Sequence, residues 1–170
     1  EVEFASEIGL DVVILDHHSV PDETPDALAT VNPKLPGSEY PFDEMSTGGL
    51  AYRMAHLLLA HFGVAADEER WLDLAAMSTV ADVVPLVEDN RWLVSNGLAA
   101  MRQSERPGLQ ALIEVAGLWN QELDTDSIAF GLAPRINAAG RLDHALRAVG
   151  LLSERDPDRA LEQAQELDRL

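Results

Sequence analysis

The chain has no cysteine, which excludes disulfides and thiolate metal sites. Any metal must therefore be held by His, Asp, Glu or carbonyl oxygen. Lysine is almost missing too: Lys34 stands alone against eleven arginines. No apolar run approaches the roughly 20 residues a membrane-spanning helix needs. A signal peptide, a basic amphipathic helix, an internal repeat and a low-complexity segment are also lacking, so the expectation is a soluble, cytoplasmic protein with no membrane association. Positive charge is scarce. The net charge of −18 excludes a non-specific nucleic-acid binder, because affinity for phosphates requires cationic neutralisation.

What is present is enough for one ordinary domain: 170 residues, of which 46% are apolar, suffice for a core. Charge is unevenly spread. The first thirty residues hold eight acids and no Lys or Arg, whereas 45–66 and 127–142 contain no acid at all. A small anionic site is compatible with that pattern, even in an acidic protein.

The stretch VVILDHH, Val12 to His18, carries the densest information. Val12, Val13, Ile14 and Leu15 form a short apolar, mostly β-branched run, the pattern of a strand buried on both faces, although periodicity alone does not separate it from a helix. It stops at Asp16-His17-His18. In open α/β sheets ligands gather beyond the carboxyl ends of strands. Extended backbone would turn Asp16 and His18 to one side and His17 to the other, so that one imidazole can ligate a metal while the other meets a substrate. The plain alternative is a strand end with three solvated polar residues.

Around this stretch the chain reads as follows. Glu1 to Gly9 predicts the end of a helix closed by Gly9, before a strand over Leu10 to Leu15. Ser19 to Asp43 has too many prolines for a regular element, apart from a short strand at Ala29-Thr30-Val31. This loop is expected to lie over the site. Ser46-Thr47-Gly48-Gly49 opens a helix to about Phe62, with Leu50, Met54, Leu57, Leu58 and Phe62 as its apolar stripe. The two glycines after a hydroxyl pair suit an anion or phosphate; taken alone, an ordinary Ser/Thr N-cap is the better explanation. A helix from near Asp67 leads to Asp82, an acid among small and apolar neighbours, followed by Pro85. A buried acid there demands a partner or a metal. Asp89-Asn90 caps the next helix, and Leu109 to Ala116 forms another. Between Ser127 and Leu142, Pro134, Arg135, Asn137, Gly140 and Arg141 suggest a loop suited to phosphate. Alternatively, Arg135 and Arg141 pair with carboxylates such as Asp143. Ala145 to Leu152 and Pro157 to Leu170 complete the helices, the last capped by Asp156 with Pro157 at its first position.

Taken in order, VVILDHH, STGGLAYRMAHLL, STVADVVPL and FGLAPRINAAGRLDHA resemble the motifs of the DHH phosphoesterases. The final motif resembles the RecJ-type single-strand-specific exonuclease branch more than the oligoribonuclease, cyclic-dinucleotide or pyrophosphatase branches. The resemblance implies an α/β fold, the C-terminal part of a DHH-type parallel-sheet domain, helix-rich after its first strand. It implies 5′-to-3′ hydrolysis of single-stranded DNA in repair and recombination with two divalent metals, Mn²⁺ or Mg²⁺. His17 and Asp82 would be metal ligands, Asp16 would support the site near the metals and His18 would face the scissile phosphate. Ser46, Gly48, Gly49, Arg135, Asn137 and Arg141 would contact substrate phosphates. A helicase and a single-strand-binding protein are candidate partners; the oligomeric state is left open.

The chain begins at Glu1 and ends at Leu170 within a helical pattern, as expected of an excised piece. The resemblance places the family's aspartate motifs before Glu1 and further domains after Leu170. Residues 1–170 would then be a partial catalytic domain with about half a metal site, inactive alone, and 145–170 a helical segment leading toward a second domain. Two other readings stand beside this one: a DHH phosphodiesterase acting on short oligonucleotides or cyclic dinucleotides, and a non-catalytic DHH-like replication factor. Intact Asp16, His17, His18 and Asp82 count against the latter.

Overall fold

The expected first strand forms, but it is shorter and less covered than the sequence suggests. In the computed structural model, which describes every residue except Ala66, Glu68 and Asp143 and the side chain of Leu142, β1 spans Val13–Leu15 and pairs in parallel with β2, Ala29–Val31. Val13 lies opposite Ala29. Val13 remains 58% exposed, because among the described residues β1 has a strand on one edge only. The strand is therefore not buried on both faces. Before it, α1 (Val2–Glu7) ends at Gly9, whose φ of 79° places it in the left-handed region. The proline-rich segment after β1 stays irregular apart from β2.

Behind the sheet stand the helices α2 (Thr47–His61), α3 (Leu72–Ala81), α4 (Glu88–Arg102), α5 (Pro107–Val115), α6 (Ala133–Leu142), α7 (Leu146–Ser153) and α8 (Pro157–Asp168). Helices α2 and α3 approach closely because Gly48 lacks a side chain; a Cβ there would collide with the Ser78 side chain. The expected stripe of α2 is only partly buried. Leu50 is covered, but Leu57, Leu58 and Phe62 are exposed, and Tyr52 is buried instead. A small cleft between α2 and α3 is lined by Gly48, Ala51, Tyr52 and Ala55 on one side and by Trp71, Leu74 and Ala75 on the other. The helix expected from Asp67 starts later, at Leu72, after Trp71 at φ 70°. Val87, not Asp89 or Asn90, is the N-cap of α4. Asn90 is fully buried and donates to the carbonyls of Glu44 and Pro85, tying two loops to the helix.

The expected loop over 127–142 is helical. A π-helical segment, Ser127–Leu132, runs directly into α6. Proline has no N–H to offer the carbonyl four residues back, and its ring crowds that carbonyl. The i→i+5 pattern before Pro134 requires no donor at that position, so the helix widens rather than stops.

The larger core cluster includes Leu109, Leu112, Ile128, Leu132, Leu151, Ala160 and Ala164, all at 0% exposure. Each large side chain so buried contributes about 2 kcal/mol relative to exposure. Residues 145–170 join this cluster through α7 and α8, with Asp156 accepting from the N–H of Arg159 to start α8. A smaller cluster, Met45, Leu50, Tyr52, Leu72, Ala75 and Leu93, reaches forward to Leu15 and supports the sheet.

Candidate metal centre and adjoining groove

The last bond of the ladder brings the polar triplet into place: the N–H of Asp16 donates to the carbonyl of Val31 at 3.0 Å. Asp16 Oδ1 then accepts from the His18 N–H at 3.3 Å and lies 2.7 Å from His18 Nδ1. The His18 ring, foremost, holds the Asp16 carboxyl below the usual carboxylate range, with the backbone N–H groups of His17 and His18 adding to it against the effect of burial. Buried Asn32 fixes the turn from the other side, donating to the His18 carbonyl at 3.0 Å and accepting from the Lys34 N–H at 2.9 Å.

His17 turns the other way, toward the start of α2. Its Nδ1 lies 2.7 Å from Thr47 Oγ1 and accepts from the Thr47 N–H at 3.2 Å. The side chain is 13% exposed, and Nε2 faces Asp82 Oδ2 across 3.9 Å. The two imidazoles sit 4.4 Å apart between centroids. Asp16, His17 and His18 offer ligand atoms within 4.8 Å of one another. Asp82 is not buried, contrary to the sequence expectation. It follows the last residue of α3 as its C-cap, where Val83 and Pro85 turn the chain outward. Carboxylate oxygen and imidazole nitrogen converging in this way suit Mn²⁺, whereas Mg²⁺ favours oxygen donors.

Of the six residues expected at phosphates, the structure sends four elsewhere. Ser46 is fully buried, accepts from the Gly49 N–H at 3.1 Å and lies 3.1 Å from Thr79 Oγ1. It is the N-cap of α2. Gly48 and Gly49 face Ser78 and Leu93 in close packing. Arg135 is half-buried, donates from Nε to Asp168 Oδ1 at 2.7 Å and from Nη1 to the Gly131 carbonyl at 2.6 Å. Its partner is thus on α8; Asp143, the partner weighed from sequence, lies outside the described residues. The carboxylate-pairing alternative holds for Arg135, and these four residues serve the helix framework.

Asn137 and Arg141 do face open space. They line a groove of about 760 Å³ between the end of α3 and the π-helical segment, with Val80, Val84, Phe130 and Pro134 among its walls. Arg141 has no ion-pair partner among the described residues. Val83 and Phe130 are 87% and 77% exposed and also line it. Val83 directly follows Asp82 with φ 56°, a strained conformation for a β-branched residue and one that clusters at functional sites. Sequence reasoning missed Val83 and Phe130, which look like ordinary core residues. It counted Thr47 only within the hydroxyl pair that opens α2, not as a partner of His17.

With this geometry in view, the chain's likeness to known proteins is as follows. Residues 1–79 match the model of the DHH family, N-terminal domain. Over 170 residues the chain is 45% identical to the single-stranded-DNA-specific exonuclease RecJ of Bacillus subtilis (strain 168), covering 100% of this chain and 21% of that protein. Against the protein of the same name from Escherichia coli (strain K12), identity is 39% over 183 residues, covering 99% and 31%. A crystal structure of exonuclease RecJ bound to manganese superposes with a TM-score of 0.85 at 36% identity, over 99% of this chain and 42% of that one. RecJ from Thermus thermophilus in complex with Mg²⁺ gives 0.79 at 34%, over 95% and 24%. The chain shares their α/β fold and spans about a fifth to a third of the length of these curated relatives. The stretch matched by that family model contains Asp16, His17 and His18, and His17 approaches Asp82, just beyond it.

Proposed function

We propose that the protein carrying this chain is a metal-dependent exonuclease that removes nucleotides 5′ to 3′ from single-stranded DNA. The observation that carries this reading is the approach of His17 Nε2 to Asp82 Oδ2 at 3.9 Å, beside a groove bearing Asn137 and Arg141. Relatives named as single-stranded-DNA-specific exonucleases, and related structures holding manganese or magnesium, support it.

In this reading His17, Asp82 and Asp16 hold divalent cations, and residues outside this chain supply the remaining ligands; residues 1–170 are then part of a larger catalytic domain. Such cations supply Lewis-acid stabilisation of the attacking and leaving oxygens. The chain's own groups orient. Asp16 accepts from His18 Nδ1 and so fixes the orientation of the exposed ring that in this reading faces a phosphate. Arg141 and Asn137 hold the strand along the groove, and Val83 and Phe130 offer apolar surface to its bases. Repair and recombination in the cytoplasm, alongside a helicase and a single-strand-binding protein, is the matching cellular role. Among the described residues no helix is long and apolar enough to cross a membrane.

The test is a full-length protein given single strands labelled at either end, with Mn²⁺. Mononucleotide release from the 5′ end, lost in His17→Ala, is the expected result. Cleavage confined to short oligonucleotides or cyclic dinucleotides would replace this reading with a phosphodiesterase.

A further inference from the structure

We infer that Thr47 is a positioning residue for His17, its hydroxyl being the acceptor that lets Nδ1 carry the ring proton and so frees Nε2 for a metal. The inference rests on the reading of His17 as a ligand. Two groups of Thr47 meet the same ring nitrogen, the hydroxyl oxygen at 2.7 Å and the backbone N–H at 3.2 Å from Nδ1. One can accept and the other can only donate.

A neutral imidazole carries one proton. When it resides on Nε2, Nδ1 accepts from the Thr47 N–H, and the Nε2–H points at Asp82. Nε2 is then closed to a cation. When the proton resides on Nδ1, it is donated to Thr47 Oγ1, the Thr47 N–H gives up its bond to the ring, and Nε2 presents a lone pair toward Asp82. The exchange conserves protons: one leaves Nε2 to water and one is taken up at Nδ1. Thr47 stands first in α2 after the Ser46 cap, so its amide is one of those that the helix itself leaves without a partner. A partner on the remote nitrogen is what fixes ring orientation and ligand basicity at metal-bound histidines.

Thr47→Val separates this from a merely structural role. Valine keeps the shape and the amide donor but removes the acceptor, leaving Nδ1 only a donor to face. The ring is then held in the tautomer that closes Nε2. In the full-length protein, Mn²⁺ affinity of Thr47→Val should fall by about tenfold or more, while Thr47→Ser stays within about twofold of wild type. The ¹⁵N imidazole shifts of the metal-free protein, assigned by difference from His17→Ala, should move toward the Nε2–H form in Thr47→Val only. Should Thr47→Val fail to fold, Thr47→Ala removes the same acceptor and gives the same readings. Unchanged affinity and shifts in the valine or alanine variant, with His17→Ala losing Mn²⁺, would overturn the inference alone. If His17→Ala itself binds Mn²⁺ normally, the ligand reading falls and takes the inference with it.

Discussion

Helix α3 carries an acid near each end, and the two have opposite surroundings. Asp73, in the first turn, is 5% exposed; its Oδ2 accepts from Ser104 Oγ and from Arg106 Nε, each at 3.0 Å. Asp82, just past the last turn, is exposed, and among the described residues its nearest charged or ring partner is His17 Nε2 at 3.9 Å. The helix dipole favours an acid at the first position and disfavours one at the second. Asp73 has its oxygens satisfied and is committed to holding α3 against the turn before α5. Asp82 sits where the fold gives it little, which leaves its carboxylate available. In the proposed reading, the functional acid is the one the protein leaves little engaged, not the buried one.

This contrast can be broken at either end. The largest effect should come from Asp82→Ala in the full-length protein. Loss of a ligand should lower single-strand cleavage at saturating Mn²⁺ by at least about a hundredfold, equivalent to several kcal/mol of transition-state stabilisation. Its denaturation midpoint without metal should not fall. Near-normal turnover in steady-state assays would remove Asp82 from the site.

Asp73→Ala should do the reverse. Breaking a mostly buried pair leaves Arg106 and Ser104 without their acceptor and should cost about 3 kcal/mol in chemical denaturation, with cleavage per folded molecule retained. A stable but inactive Asp73→Ala would show that the two ends of α3 are not separable.

A smaller version of the same contrast lies along α6. Arg135→Ala should lower stability by about 1 kcal/mol, since its Asp168 pair is partly exposed, and leave the salt dependence of single-strand binding unchanged. Arg141→Ala should leave stability alone and flatten the salt dependence by about one counterion. Binding measured over a salt series beside a melting curve distinguishes them, and identical behaviour of the two would refute the assignment of Arg141 to the groove.

The smallest effect sharpens the comparison without chemistry. Asp82→Asn should stabilise the metal-free protein by about 0.5 kcal/mol, because it removes a negative charge from the C-terminal end of α3. A loss of stability in denaturant titrations would mean that Asp82 is held by something the helix-end argument leaves out.

Much of the candidate site's placement was legible because it is local. Asp16, His17 and His18 follow an apolar strand run directly, and a strand end presents its polar residues without help from the rest of the fold. Asp82 was found as an acid out of place, although the reason first attached to it, burial, was mistaken. The window around Arg135 was misread because a proline and two arginines look like a loop, and a π-helical turn that tolerates Pro134 has no clear composition of its own. The stripe on α2 failed for a related reason. Spacing identifies which residues share a face, not whether another element covers it, and Leu58 and Phe62 share a face that remains uncovered.

By itself the sequence determined the elements whose causes lie within a few residues. The Ser46 hydroxyl closes on the Gly49 N–H and Asp156 on the Arg159 N–H; Gly9, Gly63 and Gly117 end their segments at positive φ. Such rings are short, so their residues lie together in the text. Only the tertiary structure decided the pairings across the chain. His17 meets Thr47 from 30 positions away, and Asp73 meets Arg106 and Arg135 meets Asp168 from 33. Each arginine and each acid had several partners of the right charge. Which one it took was settled by how closely the helices pack, and that closeness depends on glycines such as Gly48, whose role is visible only once Ser78 is seen opposite it.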